Sequence, residues 1–132
     1  MGIRLVNPET LVRPVGYSHA AVGQGTCVRL AGQIGSDVSG RVVDRDDLVA
    51  QFARALDNLL VALRAAGGEP TDVASLRIYT TRVGEYRARL KEIGAAYRER
   101  FGRHFPAMAL LGVAELFDDG ALVEIEGVAH VG

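Results

Sequence analysis

The sequence predicts an α+β domain of order ββαβαββ, in which two helices cover one face of a four- or five-stranded sheet. Three observations carry that class. Apolar residues recur at helical spacing in two stretches, Leu48 to Leu63 and Tyr86 to Phe101. Strand-like runs, alternating or continuously apolar, stand before, between and after them. No linker, repeat or low-complexity segment interrupts the 132 residues, so one domain is expected to span residues 1–132.

Taken in order, residues 3–6 read as a short first strand stopped by Asn7-Pro8. The chain is extended from Tyr17 to Gln24, and Gly23-Gln24-Gly25 turns it into the run from Thr26 to Ile34. There Val28, Leu30 and Ile34 share a face, and Gly32 interrupts the alternation, which anticipates a bulge or the close approach of another group. Asp44, Asp46 and Asp47 offer N-caps and first-turn acids for the first helix. Its stripe is Leu48, Phe52, Leu56, Leu59, Leu60 and Leu63, and Gly67-Gly68 ends it. From Val73 to Arg82 the alternation returns, with Leu76, Ile78 and Thr80 opposite Arg77, Tyr79 and Thr81. The second stripe is Tyr86, Leu90, Ile93, Tyr97 and Phe101, closed by Gly102.

The C-terminal end holds the feature that an account of function must address. From Phe105 to Ala114 nearly every residue is apolar, so both faces of this strand ask for burial. A Phe117-Asp118-Asp119-Gly120 turn follows, and an Asp-Gly turn between two strand-like runs predicts a hairpin. In the last run Val123, Ile125, Ala129 and Val131 lie on one face, and Glu124, Glu126, Val128 and His130 on the other. Two carboxylates spaced i, i+2 among apolar residues are either solvated edge-strand charges or part of a site. Two helices cannot cover both faces of the sheet, so the second face is expected to pack on another subunit.

Composition narrows the classes. A net charge of −1 gives no global field to recruit nucleic acid or an anionic membrane. No apolar run approaches membrane-spanning length, no signal-peptide core opens the chain, and a cytoplasmic protein is expected. The lone Cys27 excludes an internal disulfide; its default reading is a buried, inert thiol. Ser18 and His19 are adjacent on a strand and so cannot act together as nucleophile and base. His19, His104 and His130 lack metal-ligand spacing, so no metal is expected, and neither helix carries a cofactor box. Residues 77–103 carry a local net charge of +5, which is either a salt-bridged helix surface or an RNA footprint.

Gly16-Tyr17-Ser18-His19-Ala20, Ala31-Gly32-Gln33-Ile34-Gly35, Asn58-Leu59, Tyr97, Pro106-Ala107 and Val123-Glu124-Ile125-Glu126 together resemble the Rid family (reactive intermediate deaminase, also called YjgF or L-PSP) across nearly the whole chain. The resemblance implies a chorismate-mutase-like fold with a mixed sheet, a homotrimer, and ligand clefts between subunits. It implies no metal or organic cofactor. Deaminase members hydrolyse enamines and imines such as 2-aminoacrylate, holding the substrate carboxylate with an arginine directly after the Pro-Ala pair. By the same resemblance Glu124 is the catalytic carboxylate, acting on water or a proton, and Tyr17, Gly32, Met108 and Leu110 line the substrate cleft.

The chain departs from the family pattern where it matters. Met108 occupies the arginine position, Leu110 that of a frequent Cys, Ala31 that of the usual Ser, and the helix Asn expected near Ile93 or Gly94 is absent. Losing a bidentate charge-assisted contact costs about 2–4 kcal/mol, or roughly 30- to 1,000-fold in binding. Arg13, Arg29 and Arg103 are candidate substitutes. The expectation is a cleft that binds or hydrolyses a small enamine- or imine-like metabolite other than a simple 2-imino acid. The alternatives are a non-catalytic small-molecule-binding or regulatory protein and, third, a ribonuclease-like activity, which the net charge disfavours.

Overall fold

A computed structural model describes residues 2–132. Alternating and apolar runs become strands β1 (Arg4–Val6), β2 (Ala20–Val22), β3 (Thr26–Gln33), β4 (Val73–Thr80), β5 (Ala107–Gly112) and β6 (Val123–Val131). The helical stripes become α1 (Leu48–Ala65), α2 (Val83–Ala88) and α3 (Leu90–Phe101), with a short 3₁₀ turn at Pro70–Asp72. The main sheet has the order β3-β6-β4-β5, antiparallel except for the β4–β5 pair, so it is mixed. β1 and β2 form a separate antiparallel ribbon, so three strands, not two, precede α1.

One face of the sheet is covered by helices. Leu48, Phe52, Leu56, Leu59 and Leu63 of α1 are fully buried against Leu76, Val73, Val123 and Ile125. The Asp47 carboxylate caps α1 by accepting from the Ala50 N–H at 3.0 Å. At the other end Gly67 turns with φ +90° and the Gly68 N–H donates to the Leu63 carbonyl.

Three expectations need correction, and one stays open within a single chain. The second helical stripe is two helices, broken at Arg89, whose backbone (φ −110°, ψ 24°) leaves the helical region and caps both α2 and α3. The break turns Leu90 outward, where it is 55% exposed, while Tyr86, Ile93, Tyr97 and Phe101 stay in the core. Within the single chain β5 is an edge strand that leaves Leu110 and Leu111 38% and 42% exposed, so burial of its second face would have to come from another subunit. Cys27 is exposed, because β3 forms the opposite edge and Cys27 lies on the face without helices. Finally, β5 and β6 are not a hairpin. The Asp-Gly turn does form, with Gly120 at φ +85°, but the connection crosses over and β4 lies between the two strands.

What directs that crossover is a buried side chain. Gln51 of α1 is 0% exposed; its amide donates to the Asp44 and Gly120 carbonyls at 3.2 and 3.1 Å and accepts from the Leu122 N–H at 2.8 Å. Buried Thr80 completes the anchor by donating to the Leu122 carbonyl at 2.7 Å. Gln51→Leu keeps most of the volume and strands these backbone groups without partners. It is expected to cost about 2–4 kcal/mol in urea-unfolding free energy; a loss below about 1 kcal/mol would contradict the anchor.

Candidate functional site

Strand alternation divides the candidate residues between the two faces of the sheet. Met108 pairs in register with Leu76 and Leu110 with Ile78, both on the helix side. Glu124 pairs with Tyr79, and Glu126 with Arg77, on the opposite face. Tyr17, Met108 and Leu110 are thus brought together on one side, and Gly32 and Glu124 on the other. A single chain does not unite all five.

On the helix side lies a groove of about 1000 Å³. It is bounded by the loop Arg13–Tyr17, by α2 and α3, and by β5. Phe52, Ile78 and Met108 form its floor, and Tyr97 stacks between Phe101 and Phe105 at centroid distances of 4.8 and 5.5 Å. The Tyr97 hydroxyl donates to the His104 carbonyl at 2.6 Å. Burial pushes the Tyr97 phenol up, and pushes Tyr86 up to about 12. Tyr17 stands at the mouth, its ring edge-on to His19 at 5.3 Å. Its loop is clipped to the start of β5: the Ser18 N–H donates to the Pro106 carbonyl and the Ser18 hydroxyl to the Phe105 carbonyl, at 3.0 and 2.7 Å.

On the other face the Glu124 carboxylate lies over Gly32. A Cβ at Gly32 would stand 2.1 Å from Glu124 Oε2, so any side chain there would have to push the carboxylate aside from the position it occupies over the glycine. The β3–β6 register shifts between Leu30 and Gln33, the irregularity anticipated at Gly32. Asn58 holds the strand exit in place by donating to the Ile34 and Ser36 carbonyls, both at 3.0 Å. Glu124 is half-buried, and among the described residues it has no ion pair and no side-chain hydrogen bond. Its neighbour Glu126 does have a partner, accepting from the Tyr79 hydroxyl. That hydrogen bond, then desolvation and the Glu126 charge, hold the Tyr79 phenol above its ordinary range.

Of the substitute arginines, Arg13 and Arg103 line the groove, whereas Arg29 pairs with Val128 on β3 and does not. Sequence reasoning missed Arg98, a groove residue whose signal was Gly94 one turn earlier on α3. It also took Tyr79 for an ordinary strand residue, though the alternation already put it on the face of Glu124 and Glu126. Among the described residues no three His, Cys, Asp or Glu side chains are grouped to hold a metal ion. No helix is long and apolar enough to cross a membrane.

Residues 10–131 match the family model described as Endoribonuclease L-PSP. The chain is 30% identical to a RutC family protein of Pyrococcus horikoshii, covering 92% of this chain and 93% of the relative. It is also 30% identical to a 2-iminobutanoate/2-iminopropanoate deaminase of Dermatophagoides farinae, over 97% of this chain and 96% of that one. The crystal structure of YyfB of the Rid protein family, from Yersinia pestis, superposes with a TM-score of 0.88 at 35% identity, covering 99% and 100% of the two chains.

Two measurements test this geometry. Gly32→Ala is expected to destabilise the fold by about 1–3 kcal/mol through overpacking. Adding Glu124→Ala should restore most of that loss in a double-mutant cycle, whereas simple additivity would separate the two residues. In alkaline titration the buried Tyr86 stays neutral after the unfolded chain ionises near 10.0, so stability should fall as pH rises from there toward about 12. Tyr86→Phe should flatten that fall; an unchanged slope would show that Tyr86 is not its source.

Proposed function

The chain belongs to the endoribonuclease L-PSP family, which includes the Rid proteins, and on that premise we propose that it self-associates as a homotrimer to build a small-molecule site between subunits. In this reading the Glu124 face of one copy meets the Tyr17–Met108 groove of the next. The observation that carries it is the division of the candidate residues: one chain holds a carboxylate without a partner on one face and a groove without a carboxylate on the other. The apolar exposure of β5 at Leu110 and Leu111 supports the same association.

The reaction the site would perform is hydrolysis of an enamine- or imine-like metabolite. An enamine first becomes its imine tautomer by protonation at carbon. Water then adds to the C=N carbon, forming a C–O bond as the π pair moves to nitrogen. Glu124 takes the proton of the attacking water and returns it to nitrogen, giving a carbinolamine; it then carries the hydroxyl proton to nitrogen as the C=O bond forms and the C–N bond breaks, and a carbonyl compound and ammonia leave. Imine plus water equals carbonyl plus ammonia, with no net oxidation. Glu124 suits general acid/base work because it lies over Gly32 and is not committed to another side chain. With Met108 at the position after Pro106-Ala107, the bidentate clamp of the deaminase type is missing, so a simple 2-imino acid is not the substrate. The alternative, a binding protein without turnover, predicts that Glu124→Gln leaves ligand affinity intact and that no substrate is consumed.

Ammonia release from enzymatically generated 2-iminopropanoate tests the reading. The wild type is expected to be slow, Met108→Arg to gain roughly 30- to 1,000-fold, and Glu124→Gln in that background to abolish the gain. A fast wild type would overturn the reading of Met108 as a lost clamp. Sedimentation equilibrium should give a mass three times that of the 14.1 kDa chain; a monomer would overturn the shared site.

A further inference from the structure

Glu126 is held by a neighbour other than the cation opposite it. In an antiparallel pair, directly opposed residues have Cβ atoms about 4.5–5.5 Å apart, and diagonal ones stay within reach of aromatic side chains. Arg77 stands directly opposite Glu126, yet it forms no ion pair among the described residues. The Glu126 carboxylate accepts instead from the hydroxyl of Tyr79, its diagonal neighbour on β4. That bond is the largest cause holding the Tyr79 phenol above its ordinary range. Tyr79 is therefore fixed at both ends, its Cβ by the strand and its hydroxyl by Glu126, and the ring between them is pinned.

The residue directly opposite Tyr79 is Glu124. No ion pair fixes Glu124 among the described residues, yet its side chain lies to one side. Its Cγ, Cδ and Oε2 atoms stand 3.1, 2.9 and 2.1 Å from where a Cβ of Gly32 would be. Because β6 runs between β3 and β4, Glu124 has the glycine on one flank and the pinned ring on the other. The gap over Gly32 admits the carboxylate, and the ring bars its way toward β4. None of this depends on how open the face is in a lone chain. A second copy covering it would withdraw water from the Tyr79–Glu126 bond and strengthen it.

We propose that Tyr79 is the positioning residue of the Glu124 site: pinned by Glu126, its ring keeps Glu124 over Gly32 and so aims the carboxylate at the water it activates. This deepens the function proposed above and rests on Glu124 being its catalytic carboxylate. The same bond gives the two carboxylates different tasks. Glu126, occupied by the phenol, does not compete for that water, whereas Glu124 keeps its oxygens free of side-chain partners. Misplacing a reacting group by as little as about 1 Å can cost on the order of a hundredfold in rate. A strand residue that never touches substrate can therefore set the rate through the group it supports.

Steady-state kinetics of ammonia release from 2-iminopropanoate in the Met108→Arg background test the assignment. Tyr79→Phe and Glu126→Leu are each expected to lower kcat by about tenfold or more with KM unchanged. The double variant should be no slower than either single one, because both break the same bond. Glu126→Gln, whose amide oxygen still accepts from the phenol, should keep most of the rate, and Arg77→Gln should change nothing. An unchanged kcat in both Tyr79→Phe and Glu126→Leu, additive losses, or Glu126→Gln as slow as Glu126→Leu would each overturn the proposal. If Met108→Arg releases no ammonia, the catalytic reading fails, and the positioning is read from urea unfolding instead. There the destabilisation caused by Gly32→Ala should shrink by about half in Tyr79→Phe or Glu126→Leu, because an unpinned ring lets Glu124 swing off the added methyl group. An equal loss in every background would sink the positioning itself.

Discussion

The register of β6 depends on one buried amide. Gln51 reaches from α1 to the backbone at Asp44, Gly120 and Leu122, so the helix, the loop before it and the start of β6 share one set of hydrogen bonds. In a strand the side-chain period is two, and a slip of one residue would exchange the faces completely. Val123 and Ile125 would then meet solvent and Glu124 the core. Because Leu122 is held, Ile125 is fully buried and Glu124 is delivered to the face without helices. The position of β6 between β3 and β4 follows from the same crossover, and it sets Glu124 beside Gly32 on one flank and Tyr79 on the other.

That placement gives the molecule two unlike surfaces. The helix-side groove is apolar and cationic, with a floor continuous with the core and arginines at its rim. On the other face Glu124 and Glu126 stand i, i+2 with Tyr79 and Arg77 opposite them. Tyr79 is committed to Glu126, which leaves Glu124 as the carboxylate without a side-chain partner. The two surfaces lie on opposite sides of one thin sheet. Within one chain the groove and the unpartnered carboxylate therefore do not meet, and the apolar edge at β5 stays exposed beside the groove.

Legibility in the sequence followed the range of the interactions. The α1 stripe and the alternation of β4 and β6 are local periodicities, and the structure buries the residues they nominated except Val131, which is half-buried at the end of β6. Gly32 could be singled out because a glycine in a strand has few reasons to be there, and in the fold it sits at a register shift directly under the Glu124 carboxylate. The misreadings share one cause. Leu90 obeys helical spacing, but the backbone break at Arg89 rotates it out of the stripe, and no residue type there announces a break. The Asp-Gly turn is real, yet a turn does not specify which strand its successor pairs with. Cys27 sits in an apolar run whose burial depended on whether β3 was central or an edge, a property of strand order.

By itself the sequence determined the α+β class, most of the elements that form the core, the resemblance to Rid proteins and the apolar Met108 directly after Pro106-Ala107. Each is written in residue identity or short-range spacing, where backbone geometry dictates the outcome. Only the tertiary structure decided that β6 crosses over to lie beside β3, that Glu124 and Met108 look out from opposite faces, and that Arg98 joins Arg13 and Arg103 around one groove. Those arrangements rest on hydrogen bonds and contacts between residues tens of positions apart, such as Gln51 with Leu122, and no local pattern encodes which distant partner a buried polar group will find.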